Sequence, residues 1–292
     1  PTEMASSVEV TSSVPDSLLG LLGSHTPYSM PLLRRLQFAK LFPGGMRPSA
    51  RVLLVTPSAP DANQAPGRFA AAYVDMAARP ETAIWMYSSA EYPGNDFSES
   101  DDELLLALFR HIRSLEADHA DTRDAATGLP IAKFGSMAEP VRHRLLHKGV
   151  RIDKTEASTD GSGYQVHSKW LFRVNELPPA KELPEGVVWD TVREEDCALI
   201  RSRTSINRST TADGTPIAWC FLGFEGCLSS LHVEEPYRGR GLAKAVSCQI
   251  MRDHVKDFAN DGWGAADVYI LNEQSKGMCR SIGGKEVWET SW

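Results

Sequence analysis

Apolar positions recur at helical spacing from Met30 to Phe42 (MPLLRRLQFAKLF), and Pro43-Gly44-Gly45 predicts the end of that helix. Arg51 to Thr56 (RVLLVT) is a short apolar run stopped by Pro57, which predicts a buried strand. Phe69 to Met76 and Thr82 to Tyr87 are further strand segments. Asp101-Asp102-Glu103 opens a helix running to about His119, with acidic residues suited to its positive end. A short strand over Ile131 to Phe134, a helix over Glu139 to His147 and an alternating strand over Gln165 to Val174 complete the first half.

The second half predicts strands at Val187 to Val192, Ile217 to Phe224, Leu228 to Val233, Ala266 to Leu271 and Lys285 to Trp288. Helices are expected over Glu194 to Ser205, Gly241 to Phe258 and Glu273 to Ile282. Helices and strands alternate in both halves, which predicts a mixed α/β (α+β) fold throughout. No sequence repeat relates the halves, although they could share a fold. Between them, Glu176 to Gly186 holds three prolines and alternating charge, the composition of a stiff linker. The expected organisation is a disordered N-terminus or expression remnant over 1–15, a first domain over 16–176, a linker over 177–186 and a second domain over 187–292.

At 292 residues the chain suits two domains, and 42% hydrophobic residues suffice for a sizeable core. A net charge of -7 argues against a protein that coats nucleic acid, and no apolar run approaches the roughly 20 residues of a membrane span. Five cysteines, Cys197, Cys220, Cys227, Cys248 and Cys279, form no C-x-x-C pair. Their number is odd, so reduced, buried thiols in a cytoplasmic protein are expected rather than disulfides or a zinc site. Trp85, Trp170, Trp189 and Trp219 lie in strand-like segments and are core candidates. No His, Asp and Glu cluster has metal-ligand spacing, so no metal is expected.

The chemistry concentrates in Leu231-His232-Val233-Glu234-Glu235-Pro236-Tyr237-Arg238-Gly239-Arg240-Gly241-Leu242-Ala243. A strand enters a turn with two close glycines, and the turn enters a helix. Glycine lets backbone N–H groups approach a ligand, and a helix N-terminus offers unpaired donors. Together they make an anion site, with phosphate the usual occupant. Neither the P-loop pattern nor G-x-G-x-x-G is present, which excludes those two nucleotide sites.

Arg238-x-x-Gly241-x-Ala243 resembles the [QR]-x-x-G-x-[GA] element of the GNAT superfamily of acyl-CoA-dependent N-acyltransferases. The resemblance implies that Arg238, Gly239, Arg240, Gly241, Leu242 and Ala243 wrap the CoA pyrophosphate. It also implies that the strand carrying Leu231 and Val233 pairs with the pantetheine arm. Asn272-x-x-Ser275 is similar to the family's N-x-x-A element beside that arm. Gly214 to Trp219 and Pro236 to Leu242 look like the C-terminal half of glycine N-acyltransferases and their FR47-like relatives. The implied fold is a GNAT domain in the C-terminal half, with a degenerate GNAT-like N-terminal half making a tandem GNAT protein.

The implied reaction is direct attack of an amine on the thioester of acetyl-CoA or another acyl-CoA. A base is needed, because an amine titrating three units above neutrality costs roughly 4 kcal/mol to deprotonate at pH 7. Two familiar catalytic positions depart from the family pattern. The glutamate base falls at Cys227, and the tyrosine acid falls at Cys279. Glu225 and His232 are alternative bases, with Glu234 or Glu235 acting through water. Cys279 is a candidate acid for the leaving thiolate, and Cys227 a candidate nucleophile. The expected acceptor is a small-molecule amine or amino acid. Protein or histone N-acetylation and CoA binding without turnover are the alternatives. The oligomeric state is left open.

Overall fold

The computed structural model describes residues 6–58, 67–79, 81–117, 132–154, 163–179, 182–189 and 216–292. The chain divides into two compact units, 1–168 with Trp288–Trp292, and Lys169–Val287.

Unit 1 holds a five-stranded sheet in the order β1 (Ser6–Thr11), β2 (Arg51–Pro57), β3 (Ala70–Val74), β4 (Thr82–Ser88), β5 (Lys133–Phe134). The first four are antiparallel neighbours, and β5 runs parallel to β4. Leu53, Ala72, Ile84 and Met86 pack with Leu104, Leu108 and Ile112 of α3 (Glu99–Ala117) and Val141 and Leu145 of α4 (Glu139–His147). Val52, Tyr73, Trp85 and Tyr87 pack on the opposite side with Leu18 and Leu22 of α1 (Asp16–Gly23) and Leu32 and Leu36 of α2 (Met30–Leu41). Successive strand residues point to opposite faces, and both faces are covered, so the strands read as unbroken apolar runs.

Residues 6–11, expected to be disordered, form β1 instead. Its backbone pairs with β2 from Ser6 opposite Pro57 to Thr11 opposite Val52. As an edge strand of alternating exposure it carries little apolar signal. The helix Asp16–Gly23 also escaped the periodicity, being only two turns long with glycine at positions 20 and 23.

The helix at Glu99–Ala117 begins two residues before the expected Asp101. The Asp101 carboxylate accepts the Ser98 amide at 2.9 Å and an Arg68 Nη1 hydrogen bond at 2.9 Å. The helix start is therefore filled by the protein's own anion. At the end of β4, Glu91 closes a capping box by accepting the Ser88 amide at 2.7 Å. Burial pushes the Glu91 carboxyl up to about 8, against the opposing pull of that hydrogen bond. A carboxyl raised in the folded state stabilises below its ordinary value and loses that contribution as pH climbs through the raised one. Glu91→Gln is therefore expected to melt with the wild type near pH 4.5. It should become progressively more stable than the wild type towards pH 8, in thermal unfolding followed across that range. A difference in melting temperature that stays constant with pH would contradict the assignment.

The short β6 (Met137–Ala138) pairs with the end of β11 (Lys285–Ser291), Ala138 opposite Thr290 and Met137 opposite Ser291. The Ser291 hydroxyl donates to the buried Glu139 carboxylate. These partners carry the last strand beyond the expected Trp288.

Unit 2 orders its strands β11, β7 (Val166–Arg173), β10 (Trp263–Tyr269), β9 (Cys227–Val233) and β8 (Ala218–Leu222). One face carries Trp170, Phe172, Leu228, Ala266 and Val268. They pack with Cys248 and Met251 of α5 (Leu242–His254) and Cys279 of α6 (Glu273–Ser281). Helix α5 ends at His254 and passes into a 3₁₀ turn over Val255–Asp257, short of the expected Phe258.

Val187, Val188 and Trp189 take no regular strand form, and the remainder of that expected strand lies outside the described residues. Trp189 is 48% exposed and is not a core residue, whereas Trp85, Trp170 and Trp219 are buried. The expected helix over 194–205 and Cys197 lie outside the described residues.

Candidate functional site

Strands β9 and β10 pair in parallel only at Cys227 with Ala265 and Leu228 with Ala266. Ser230 then takes a left-handed φ of 52°, and the register of β9 against β8 shifts between Trp219 and Phe221. Such a bulge bends a strand. Beyond it β9 keeps its ladder with β8, with Trp219 opposite His232 and Ala218 opposite Val233. Its other edge has parted from β10. A strand edge opened in this way is a template for an extended ligand.

The chain leaves β9 through a 3₁₀ turn at Glu235–Tyr237 and reaches the two glycines. Gly239 and Gly241 have φ of 76° and 83°, a region that other L-residues occupy at a cost. Arg238 Nε donates to the Val233 carbonyl at 3.0 Å, and Arg240 Nη2 to the Pro236 carbonyl at 3.1 Å. These bonds hold the turn against the strand it came from. Gly241 is the N-cap of α5 and supplies no side-chain cap to the first-turn amides. A Cβ at Gly239 or Gly241 would meet no atom within 4 Å, so both border open space. Across the opening, Asn272 caps α6, its Oδ1 accepting the Ser275 amide at 3.0 Å.

All ten residues expected to contact CoA line one cavity of about 970 Å³: Leu231, Val233, Arg238, Gly239, Arg240, Gly241, Leu242, Ala243, Asn272 and Ser275. The donor set suits acyl-CoA. An open glycine turn and a helix start meet a diphosphate, an unpaired strand edge meets an amide-bearing arm, and the volume is that of a large ligand site.

The four candidate catalytic residues separate. His232 lines the cavity. Its ring stacks on Trp219 at 4.5 Å between centroids and 20° between planes, and its Nε2 lies 3.8 Å from Glu234 Oε2. Cys279 is 1% exposed in the apolar core. Burial pushes its thiol up to about 12, with Arg280 pulling the other way. Cys227 is buried beside Lys169, whose Nζ donates to Sγ at 3.5 Å. Burial raises the Cys227 thiol, Lys169 opposes that, and Asp267 and Glu225 add to it. A thiol so held stays protonated near neutrality. Glu225, an alternative base in the turn before β9, is 7% exposed. Its carboxylate lies over Gly223, where a Cβ would collide with it.

Sequence reasoning missed the residue around which this second group gathers. Lys169 Nζ lies 2.6 Å from Asp267 Oδ1, both deeply buried. Burial works against the Lys169 charge, but Asp267, Cys227 and Glu225 outweigh it and hold the ammonium above its ordinary range. Lys169, Cys227 and Asp267 sit on the neighbouring strands β7, β9 and β10. The available signal was a lone lysine inside the apolar strand Val166–Arg173. Among the described residues no His, Cys, Asp and Glu group could hold a metal ion, and no helix is long and apolar enough to cross a membrane.

Residues 5–169, more than half of the chain, match the acyl-CoA N-acyltransferase verG N-terminal domain family. Residues 208–292 match the FR47-like protein family. No curated protein sequence matches the chain. A Drosophila protein of solved structure shares the fold at 12% identity and a TM-score of 0.61, over 98% of this chain and 97% of that one. A tandem GNAT protein from the clavulanic acid biosynthesis pathway is 11% identical, with a TM-score of 0.48 over 98% and 97% of the two chains. A GCN5-related N-acetyltransferase from Kribbella flavida is 12% identical, with a TM-score of 0.47 over 76% and 84%. From its two matching halves and their mixed α+β sheets, the chain belongs to the acyl-CoA N-acyltransferases of the GNAT superfamily and is built as a tandem GNAT protein.

Proposed function

We propose that unit 2 binds acetyl-CoA, or another short acyl-CoA, and transfers the acyl group directly to the amine of a small molecule or amino acid. The observation that carries this is the convergence of all ten candidate CoA residues on one cavity at the parting of β9 and β10. The turn from Arg238 to Ala243 would hold the diphosphate through backbone amides and the α5 N-terminus. The open edge of β9 at Leu231 and Val233 would pair with the pantetheine amides. The thioester, when bound, supplies the electrophilic carbonyl.

His232 is the base in this reading, because it alone of the four candidates lines the cavity. Its imidazole takes the proton of the attacking amine as the C–N bond forms; the C–S bond then breaks and CoA leaves as the thiolate, which water protonates. Stacking on Trp219 fixes the ring plane. Glu234 steadies the imidazolium that forms. Cys227 and Cys279 take no part in the transfer. The protein is read as cytoplasmic, with 177–186 as the linker between two domains.

The test is thiol release from acetyl-CoA with a panel of small amines, amino acids and a histone-tail peptide, alongside calorimetry with CoA. Release with a small amine supports the reading, and release confined to the peptide replaces it with protein acetylation. Tight CoA binding without release on any acceptor overturns the catalytic part and leaves a CoA-binding regulator. In the same calorimetry, Gly241→Trp is expected to abolish CoA binding. The large side chain fills the turn, and its φ of 83° admits a β-carbon only with strain of about 1–2 kcal/mol. A folded Gly241→Trp protein with unaltered CoA affinity refutes the site.

A further inference from the structure

Acyl transfer by His232 uses none of the charged group buried in the middle of the unit 2 sheet, although taking two ions out of water is costly. The place of that group in the sheet is specific. Trp170, Leu228, Ala266 and Val268 pack in the core with α5 and α6. Successive strand residues alternate between faces, so Lys169, Cys227 and Asp267 share the opposite face. Along the strand order β7, β10, β9, the Lys169 side chain starts on β7, meets Asp267 Oδ1 on β10 at 2.6 Å and ends 3.5 Å from Cys227 Sγ on β9. It lies across the seam between β10 and β9 and spans two strand spacings, about 9.5 Å. That seam has only two rungs, Cys227 with Ala265 and Leu228 with Ala266. Lys169 touches the first rung through Cys227, and Asp267 is the residue of β10 that follows the second. The ion pair therefore stands where the two strands part. Ser229 and Ser230 come next on β9, and their buried hydroxyls have no hydrogen-bond partner among the described residues.

An arm that starts at the glycine turn meets Val233 first and Leu231 next, so its acyl end is directed towards this point. From Leu231 to Leu228, at the last rung, is three residues, about 10 Å of strand. We infer that Lys169, held by Asp267, is a positioning residue that fixes how far β9 and β10 part and thereby limits the transferred acyl group to a short chain; this rests on the reading of unit 2 proposed above. The ammonium ties the last rungs together on one face, so the gap ends at Leu228 and does not deepen. A chain of several carbons would have to open those rungs and draw Cys227 away from Lys169. It would then lie against an ion pair and two hydroxyls, groups that lose by contact with an alkyl chain in place of a polar partner. An acetyl group needs none of that room. Neither Lys169 nor Asp267 lines the cavity, and both act through the strands that carry them.

The experiment is calorimetry on the full chain with four probes: CoA, acetyl-CoA, butyryl-CoA and hexanoyl-CoA. It compares the wild type with Lys169→Met/Asp267→Leu, in which apolar groups replace both ions, and melting temperatures verify that the double variant is folded. The wild type should bind hexanoyl-CoA at least about tenfold more weakly than acetyl-CoA, the order by which a site discriminates chains that differ by methylenes. In the double variant hexanoyl-CoA should gain at least about tenfold relative to acetyl-CoA, with butyryl-CoA between them. CoA, which carries no acyl group, should keep its wild-type affinity. An equal change for all four probes would show a purely structural role and overturn the inference. So would a wild type that binds hexanoyl-CoA as tightly as acetyl-CoA, a result that needs no variant to fold. A wild type that binds none of the four would sink the underlying reading, which distinguishes the two failures.

Discussion

Replacing His232 with glutamine is expected to lower kcat for acyl transfer by about 10²–10⁴-fold, the usual contribution of a positioned general base. Glutamine keeps polarity and approximate size, so the stack on Trp219 and the strand pairing have a reasonable substitute. The informative readout is the pH profile. In the wild type, kcat/KM should fall towards acid as both the base and the acceptor amine become protonated; in His232→Gln most of the rate should go and only the limb set by the acceptor amine should remain. A variant with wild-type kcat and an intact acid limb would remove His232 from the mechanism. The buried group of Glu225, Lys169 and Asp267 would then be the next place to look for the proton's route. Acceptors found in the panel assay supply the substrate, and steady-state thiol release supplies the rates.

Lys169→Met carries the largest expected loss of stability, about 3–5 kcal/mol, the range observed when one member of a buried ion pair is removed. Asp267 would be left buried without the ammonium 2.6 Å away. The Cys227 thiol would lose the donor beside it. Because Lys169 is held charged above its ordinary range, its contribution is intact at neutral pH and is lost only as pH rises through the raised value. Urea unfolding near pH 7 measures the effect as a lower midpoint for the transition of unit 2. Lys169→Met combined with Asp267→Leu should recover most of the loss, since replacing both partners by apolar groups is often neutral. A single variant as stable as the wild type would show that the pair contributes nothing net.

Local signals predicted the elements well where burial and periodicity coincide. Met30–Leu41, Arg51–Pro57 and Glu139–His147 lie within a residue of their predicted bounds. Their apolar spacing and their proline or glycine boundaries are properties of a few consecutive residues. Two of the misses share one cause, support from a distant partner. Ser6–Thr11 is a strand because Arg51–Pro57 lies beside it, not because its own residues are apolar. The last strand reaches Ser291 because Met137–Ala138 pairs with it. Val187–Trp189 has strand-like residues, yet it takes no strand form.

Within the site, the sequence by itself determined the glycine turn, the helix start behind it and the asparagine cap across from it. These depend on backbone conformations that glycine and asparagine permit locally, so spacing along the chain is enough to read them. Only the tertiary structure decided which side chains with catalytic chemistry reach that turn. His232 and Cys227 lie five residues apart on one strand, yet the first lines the cavity and the second is buried against Lys169. The left-handed bulge at Ser230 and the parting of β9 from β10 make that difference. The partnership of Lys169 with Asp267 joins residues almost a hundred positions apart, across strands whose order no local pattern specifies. Turn chemistry is local, whereas burial, ionisation and access to the cavity are set by strand order and by what packs on each face.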